Sequence, residues 1–255
     1  MWRTLRIVIL LFILATVAQG AWIARARTAN WNETLRVAIY PINSDSAAGT
    51  AAYVGSLQRE HFAPIETYFR SEAERYGLPL TAPVEMYLAP RVDSIPPAPP
   101  QAAAAIEAIL WSLQMRFWAW RNDAFAGPRP HVRLFVLYFD PAQRQSLSHS
   151  VGLQKGMLGR VNAFAGQSMA ETNNVIIAHE LLHTLGATDK YDPSDNQPRH
   201  PEGYAEPTLE PLHPQRYAEI MAGRIPLGRT RAEIPRTLDE TLIGAATARE
   251  INWQK

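Results

Sequence analysis

The chain has 255 residues, of which 47% are apolar and 19% are charged, a balance typical of a folded domain with a sizeable core. The formal net charge of +1 gives no electrostatic basis for binding nucleic acid. Because the sequence contains no cysteine, disulfides, thiol catalysis and cysteine-ligated zinc are excluded. A metal site would have to use histidine and carboxylate ligands.

Residues 1–27 are predicted to be a targeting segment, because two arginines precede the apolar run Ile7–Val17. A signal anchor would use Ile7–Ala24, which is just long enough to span a bilayer. A signal peptide would instead be cleaved ahead of Ala21. We favour the anchor because two further arginines follow directly. Both alternatives place the rest of the chain outside the cytoplasm, membrane-anchored in the first case and secreted or periplasmic in the second.

Residues 28–255 are predicted to form one α+β domain with a mixed, twisted sheet. Apolar periodicity predicts strands at 35–42, 84–88, 132–139, 150–154 and 158–164. It predicts helices at 58–76, 102–120, 171–185 and 238–251. The remaining long segments are predicted as a small-residue loop at 44–50, a proline-rich connector at 90–100 and a polar loop at 193–214.

The predicted helix 102–120 is rich in tryptophan and carries an apolar stripe along one side. The stripe consists of Ile106, Ile109, Leu110, Leu113 and Phe117. Such a stripe is typical of a helix face that packs against a protein core, and we expect it to be buried there.

The predicted helix 171–185 combines apolar residues with three polar ones, His179, Glu180 and His183. Residues four positions apart project from the same helix face, so both imidazoles could reach one zinc ion at about 2.0–2.1 Å. Glu180 points to one side, where it could reach a water molecule on the metal without binding the metal itself. Unpaired polar groups in a buried helix cost about 1–3 kcal/mol each, which favours a metal site over an ordinary core helix.

The third metal ligand is predicted from the residues that follow this helix. Thr172 or Asn173 is a plausible N-cap, and Gly186 is expected to end the helix so that the chain turns back. Asp189 then falls where a third ligand is needed. Alternatives in the downstream loop stay open at this stage, namely His200, His213, Glu202, Glu206, Glu210 and Glu219.

The stretch HELLHTLGATD resembles the extended motif H-E-x-x-H-x-x-G-x-x-H/D of the metzincin zinc peptidases, in which snapalysin-type members have aspartate at the last position. The resemblance implies a zincin-like fold, Glu180 as general base and Zn²⁺ as cofactor. It implies the metal ligands His179, His183 and Asp189. It also implies a methionine turn beneath the metal, for which Met221 in AEIMAG is the candidate. Outside residues 174–192 and 217–224 only the order of elements matches.

The resemblance implies a zinc-dependent peptidase, and an endopeptidase rather than an exopeptidase, that acts on a peptide or protein. We expect Tyr217 to donate a hydrogen bond to the oxyanion, with Tyr191 as the alternative. The segment Leu158–Phe164 is interpreted as an edge strand that could pair with an extended substrate. The alternative function is a non-catalytic, membrane-tethered zinc-fold binding protein. Nothing in the sequence indicates an oligomeric state.

Overall fold

A computed structural model describes residues 31–100, 105–144, 146–147, 150–153 and 157–254, together with Trp2 and Arg6. Apart from those two positions, the predicted targeting segment at 1–27 lies outside the described residues. Within the described part of the chain, no helix is both long enough and apolar enough to cross a membrane.

Five strands form the main sheet, in the spatial order β2-β1-β3-β5-β4. They are β1 (Leu35–Asn43), β2 (Val84–Leu88), β3 (Val132–Phe139), β4 (Val151–Leu153) and β5 (Leu158–Phe164). β1 pairs in parallel with β2 and β3, and β3 pairs in parallel with β5, whereas β4 runs antiparallel to β5. The predicted α+β domain with a mixed sheet is therefore confirmed. β3 is almost wholly buried because it is a central strand that is covered on both faces.

Within the residues that the structure describes, five α-helices accompany this sheet. They are α1 (Ala48–Ser56), α2 (Ala63–Arg75), α3 (Ala105–Arg121), α4 (Ala170–Leu185) and α5 (Ala245–Glu250). Two small two-stranded sheets follow α4, one pairing β6 (Ala218–Glu219) with β9 (Thr241–Leu242) and the other pairing β7 (Ile225–Gly228) with β8 (Arg231–Glu233). Short 3-10 turns occur at Arg59–Phe62, Gln167–Met169 and Leu238–Glu240.

The two faces of the main sheet bury two separate apolar clusters, because successive strand residues point to opposite faces. Val37 and Ile39 of β1 pack with residues from α1, α2, α4 and α5. Ala38 and Tyr40 pack on the other face, where α3 supplies Met115 and Ala119 as well as other buried contacts. The helix with the histidine motif and the tryptophan-rich helix therefore lie on opposite sides of the sheet.

Three predicted elements differ from the structure. The loop predicted at 44–50 overlaps α1, which begins at Ala48. The final helix predicted at 238–251 is much shorter, because the chain forms a 3-10 turn and β9 before α5 begins at Ala245. α4 begins at Ala170 rather than at 171–173, so Thr172 and Asn173 lie inside its first turn and neither is the N-cap.

The predicted edge strand is covered by another strand over its first three residues. Leu158–Phe164 is β5, which lies between β3 and β4 and pairs with both of them. β4 pairs only with Leu158–Arg160, and no strand among the described residues lies beside Val161–Phe164 on that side. The outer strand at this side of the sheet is Val151–Leu153.

The apolar stripe of helix α3 is exposed, contrary to the sequence prediction that it packs against the core. Together with Trp120, which continues it by one turn, we call this set the outer stripe, comprising Ile106, Ile109, Leu110, Leu113, Phe117 and Trp120. All are exposed except Leu113, which is half-buried. α3 instead turns the opposite side, with Trp111 and Met115, toward the sheet.

Candidate metal centre

Helix α4 is buried along most of its length, as its apolar pattern predicts, and it ends at Gly186. Gly186 has a φ of 112°, a left-handed conformation that favours glycine because it has no side chain. Backbone hydrogen bonds from Gly186 to His183 and from Ala187 to Leu182 close the last turn. The predicted helix end is therefore confirmed, and the chain turns back toward the histidines directly afterwards.

The reversal brings Asp189 to both imidazoles. One carboxylate oxygen, Oδ1 of Asp189, lies 3.4 Å from Nε2 of His179 and 3.2 Å from Nε2 of His183. Four ligands at about 2.0–2.1 Å around a tetrahedral zinc ion stand roughly 3.3 Å from one another. The distances from Asp189 to the two imidazole nitrogens are therefore those expected along the edges of such a site, and the donor set of two histidines and one carboxylate suits zinc.

The two imidazoles are oriented by backbone carbonyls. Nδ1 of His179 donates a hydrogen bond to the carbonyl oxygen of Ile220 at 2.9 Å, and Nδ1 of His183 donates one to that of Ala187 at 2.9 Å. A carbonyl oxygen can only accept, so each Nδ1 carries the hydrogen. In the neutral imidazole, Nε2 then keeps its lone pair for a metal, which is the orientation that outer hydrogen bonds give to histidine ligands.

Glu180 lies beside the imidazoles but on its own side of the helix. One of its carboxylate oxygens and the imidazole nitrogens of His179 and His183 all lie within 4.8 Å of one another. The Glu180 side chain is buried, whereas the side chains of His179, His183 and Asp189 are 17%, 18% and 43% exposed. Solvent can therefore reach the point where the three ligand atoms converge. Glu180 lies on the buried side of that point.

The protonation of the group follows from its charges. Burial lowers the pKa of His179, but its hydrogen bond with Asp189 and the negative charge of Glu180 outweigh burial and raise that pKa to about 9. Burial raises the pKa of Asp189, yet its hydrogen bonds with the two imidazoles hold the pKa well below its usual range. A metal ion at this point would take the place of a tightly held proton.

Met221 belongs to a turn that contacts both the helix and the ligand loop. The carbonyl of Ile220 accepts the hydrogen bond from His179, and the carbonyl of Met221 accepts one from the backbone of Lys190 at 3.0 Å. Met221 is fully buried in the core. The turn therefore joins His179 and the segment that carries Asp189.

The buried carboxylate of Glu219 stabilises this turn through hydrogen bonds. Its oxygens accept hydrogen bonds from the backbone of Ala222 at 3.0 Å, the backbone of Gly244 at 3.0 Å and the hydroxyl of Thr247 at 2.6 Å. These contacts direct Glu219 toward α5 rather than toward the histidines. Burial raises its pKa, although the hydrogen bonds from Thr247 and Gly244 oppose that shift.

The loop that carries Asp189 is fixed to α5 by contacts that the sequence did not reveal. Lys190, whose side chain is 4% exposed, places Nζ 2.8 and 2.7 Å from the two carboxylate oxygens of Glu250. The same nitrogen contacts the carbonyl and the hydroxyl of Thr188, and Thr188 also donates to Glu250 through its backbone and hydroxyl. We call Thr188, Lys190 and Glu250 the loop anchor. It fixes both neighbours of Asp189.

The two candidate tyrosines have different surroundings. Burial and the negative charge of Asp189 raise the pKa of Tyr191, which lies two residues after Asp189 in the same loop. Tyr217 instead lines a cleft between α2 and α4 together with Glu171 and Asn174. Among the residues that the structure describes, Tyr217 makes no hydrogen bond to the three ligands. The predicted catalytic role of Tyr217 has no contact that supports it.

The alternative third ligands make contacts elsewhere. Nε2 of His200 lies 3.1 Å from the carbonyl of Pro207, and Nε2 of His213 lies 3.1 Å from the hydroxyl of Tyr204. Glu206 pairs with Arg216. Glu202 and Glu210 are exposed in the same loop, and Glu219 is turned toward α5. Of the alternatives weighed, Asp189 is the residue that the structure places at the imidazole pair.

Comparison with known proteins adds nothing to this geometry. No protein-family model matches the chain, and no curated protein shows significant similarity to it. The function is therefore inferred from the residues of the candidate metal centre.

Proposed function

We propose that this protein is a zinc-dependent peptidase, with His179, His183 and Asp189 holding the ion. The observation that carries the proposal is the convergence of one aspartate oxygen on two imidazole nitrogens, at 3.4 and 3.2 Å, beside the carboxylate of Glu180. Partial exposure of the three ligands leaves room for water and a substrate to approach, as a catalytic zinc site requires.

When bound, zinc would polarise the scissile carbonyl and make a neighbouring water easier to deprotonate. Glu180 accepts the proton from the attacking water and later passes it to the leaving amine. Asp189 adds a negative charge that a third histidine would not, so a metal on this ligand set acidifies water less strongly. Glu180 must then supply more of the activation, and its position within 4.8 Å of the imidazole nitrogens suits that role.

We assign the donor for the oxyanion to Tyr191 rather than to Tyr217. The charge of Asp189 acts on the Tyr191 hydroxyl and helps to raise its pKa, whereas Tyr217 lines the cleft between α2 and α4. A phenol that stays protonated can donate to developing negative charge, and the raised pKa of Tyr191 keeps its proton in place at neutral pH.

The expected substrate is an extended segment of a peptide or protein. β4 is the outer strand on this side of the sheet, it has no second strand partner among the described residues, and α4 packs against it. A substrate strand could therefore add to β4 next to the metal centre. Such pairing requires no free chain terminus, which favours an endopeptidase.

We further propose that the domain works outside the cytoplasm, tethered by the apolar segment Ile7–Ala24. Cleavage ahead of Ala21 would instead release it as a secreted or periplasmic protein.

The test compares the wild-type chain with Glu180→Gln, which keeps the size of the side chain but removes the base. Both proteins are assayed for bound zinc and for hydrolysis of a defined mixture of synthetic peptides. We expect equal zinc contents and a loss of hydrolysis on the order of 10²–10⁴-fold in the variant. Stoichiometric zinc without hydrolysis that depends on Glu180 would instead indicate a non-catalytic zinc-binding protein.

A further inference from the structure

The outer stripe of α3 is an apolar surface without a partner in the described part of the chain. Ile106, Ile109, Leu110, Phe117 and Trp120 are 65%, 55%, 60%, 59% and 73% exposed. Isolated exposed apolar residues are common, but a continuous stripe of them marks a surface that something covers. At 1.5 Å per residue the stripe runs for roughly 21 Å along the helix.

The stripe has the character of a helix at a membrane surface. Its apolar side chains form one straight row, and Phe117 and Trp120 pack ring against ring with centroids 5.8 Å apart. The exposed polar residues of α3, Glu107, Gln114 and Arg121, lie beside the row rather than within it. Large aromatic and aliphatic side chains on one face, with charges at its margin, are typical of helices that lie in the headgroup region of a bilayer.

The chain itself would bring this surface to a bilayer. Trp31 is fixed to the domain, because its indole donates a hydrogen bond to the carbonyl of Ile251 at 2.7 Å. Only residues 25–30 separate Trp31 from the predicted anchor Ile7–Ala24. Six residues reach about 20 Å at most, so an anchored domain must lie against the membrane.

The point where the chain enters the sheet lies beside the segment that follows α3. Arg36, near the start of β1, donates hydrogen bonds from its side chain to the carbonyl of Arg129 and from its backbone to His131. Both partners belong to the connection from α3 to β3. The start of β1 and the C-terminal end of α3 are therefore at the same end of the sheet, while Trp31 itself packs in the apolar cluster on the α4 face.

From these placements we propose that the outer stripe of α3 lies in the lipid interface of the bilayer that holds the N-terminal segment. The proposal rests on the proposed anchor and not on peptidase activity. Because α3 and α4 lie on opposite faces of the sheet, this docking turns the metal centre away from the lipid and toward water. The net charge of +1 makes the contact hydrophobic rather than electrostatic, so high salt should not release it.

The absence of cysteine allows one spin label to be placed at a chosen residue of the full chain. Phe117→Cys places the label on the outer stripe, and Glu74→Cys places it at an exposed position of α2, on the other side of the sheet. Both substitutions are at exposed positions and should leave the fold intact. The labelled chains are incorporated into phosphatidylcholine vesicles, and collisions with a water-soluble nickel complex and with oxygen are measured.

We expect the label at 117 to lose collisions with nickel on the order of tenfold relative to the label at 74, and to gain collisions with oxygen. Equal exposure to water at both positions, in a chain that resists alkaline extraction, would overturn the docking and leave the anchor intact. Release of the chain by alkaline extraction would overturn the anchor and the docking together. Spin–spin broadening between labels at 117 would show that a second copy covers the stripe, which also overturns the proposal.

Discussion

Helices α3 and α4 are similarly rich in apolar residues but have opposite surroundings. Both are apolar on most sides, and the sequence predicts a core-facing surface for each. In the structure α4 is enclosed by the sheet, by α2 and by the elements that follow it, whereas α3 is covered on its sheet side and presents the outer stripe to solvent. An apolar face therefore predicts that a surface will be covered, but it does not say whether the covering belongs to the same domain.

The polar residues of the two helices differ in the same way. On α4, His179, Glu180 and His183 lie among buried neighbours, so each must have a partner or a function. On α3, Glu107, Gln114 and Arg121 are exposed to water. Water satisfies their polar groups, so these residues need neither a protein partner nor a function. The polar residues of α4 are therefore the candidates for chemistry, and the exposed face of α3 is the candidate for an outward contact.

The largest expected effect comes from removing a histidine of α4. His183→Ala deletes one of the three ligand atoms, so we expect bound zinc to fall from near-stoichiometric to background, and hydrolysis with it. His213→Ala is the matched control, because that imidazole contacts Tyr204 in the long loop. Metal analysis of the two purified proteins decides the point. Equal zinc in wild type and His183→Ala would contradict the proposed site.

The same substitution in both helices measures how differently they are covered. Leu181 of α4 is fully buried, and Leu110 of α3 is 60% exposed. Leu181→Ala should lower the free energy of unfolding by about 2–5 kcal/mol because it leaves a cavity. Leu110→Ala should change it by less than about 0.5 kcal/mol in solution. Denaturant titration of each protein gives both numbers. Similar losses would mean that α3 is covered after all.

The loop anchor should affect the metal centre without touching the metal. Glu250→Gln leaves the buried ammonium of Lys190 without its counter-charge, and we expect a loss of stability on the order of 2 kcal/mol. Zinc affinity should fall about 10–100-fold, because an outer contact that positions a ligand is lost. Lys190→Met should cost less, since the Glu250 carboxylate that it leaves is 29% exposed to water.

Arg249→Gln is the control for the loop anchor, because it removes a neighbouring charge from α5 at an exposed position. Zinc competition with a chelating dye and denaturant unfolding are measured on each variant. If Arg249→Gln weakens zinc binding as much as Glu250→Gln does, the loss comes from a general disturbance of α5 and not from the loop anchor.

The smallest effect, for each unit step, is a pH dependence of zinc binding. His179 must lose its proton before Nε2 can bind a metal, and its pKa of about 9 lies above neutral pH. From about pH 6 to about pH 8, the zinc dissociation constant should therefore fall about tenfold per unit rise in pH. Asp189→Asn removes the hydrogen bond that raises the pKa of His179. Zinc binding should therefore be weaker, and the zinc dissociation constant should stop changing with pH at a lower pH than in the wild type. A flat profile in the wild type would contradict the assignment.

Much of the fold could be predicted because its signals are local. The strands at Val84–Leu88, Val132–Phe139 and Leu158–Phe164 have the predicted bounds, since short apolar runs between turn residues specify them. α1 was missed because its sequence, rich in alanine and glycine, shows little amphipathic pattern. The position of β5 inside the sheet was missed because strand order depends on pairing between distant segments, which periodicity does not record.

The candidate site, like the fold, could be predicted from the sequence only in part. The pair His179 and His183 follows from helix geometry alone, and Gly186 predicts the reversal that brings Asp189 back. The partners that orient these residues are Ile220, Lys190 and Glu250, and no motif marks them. Lys190 and Glu250 are 60 residues apart, and a single sequence does not reveal a contact at that distance.

The separation of Lys190 and Glu250 along the chain affects when the metal centre forms during folding. The imidazole pair is available as soon as α4 forms, but the carboxylate beside it is held only after a helix much later in the chain has docked. Contacts between distant segments form late in folding because closing a long loop costs entropy. A nascent chain should therefore hold zinc weakly until its tertiary structure is nearly complete. If the proposed hydrolysis occurs, this activity would then be acquired last in the folding of the chain.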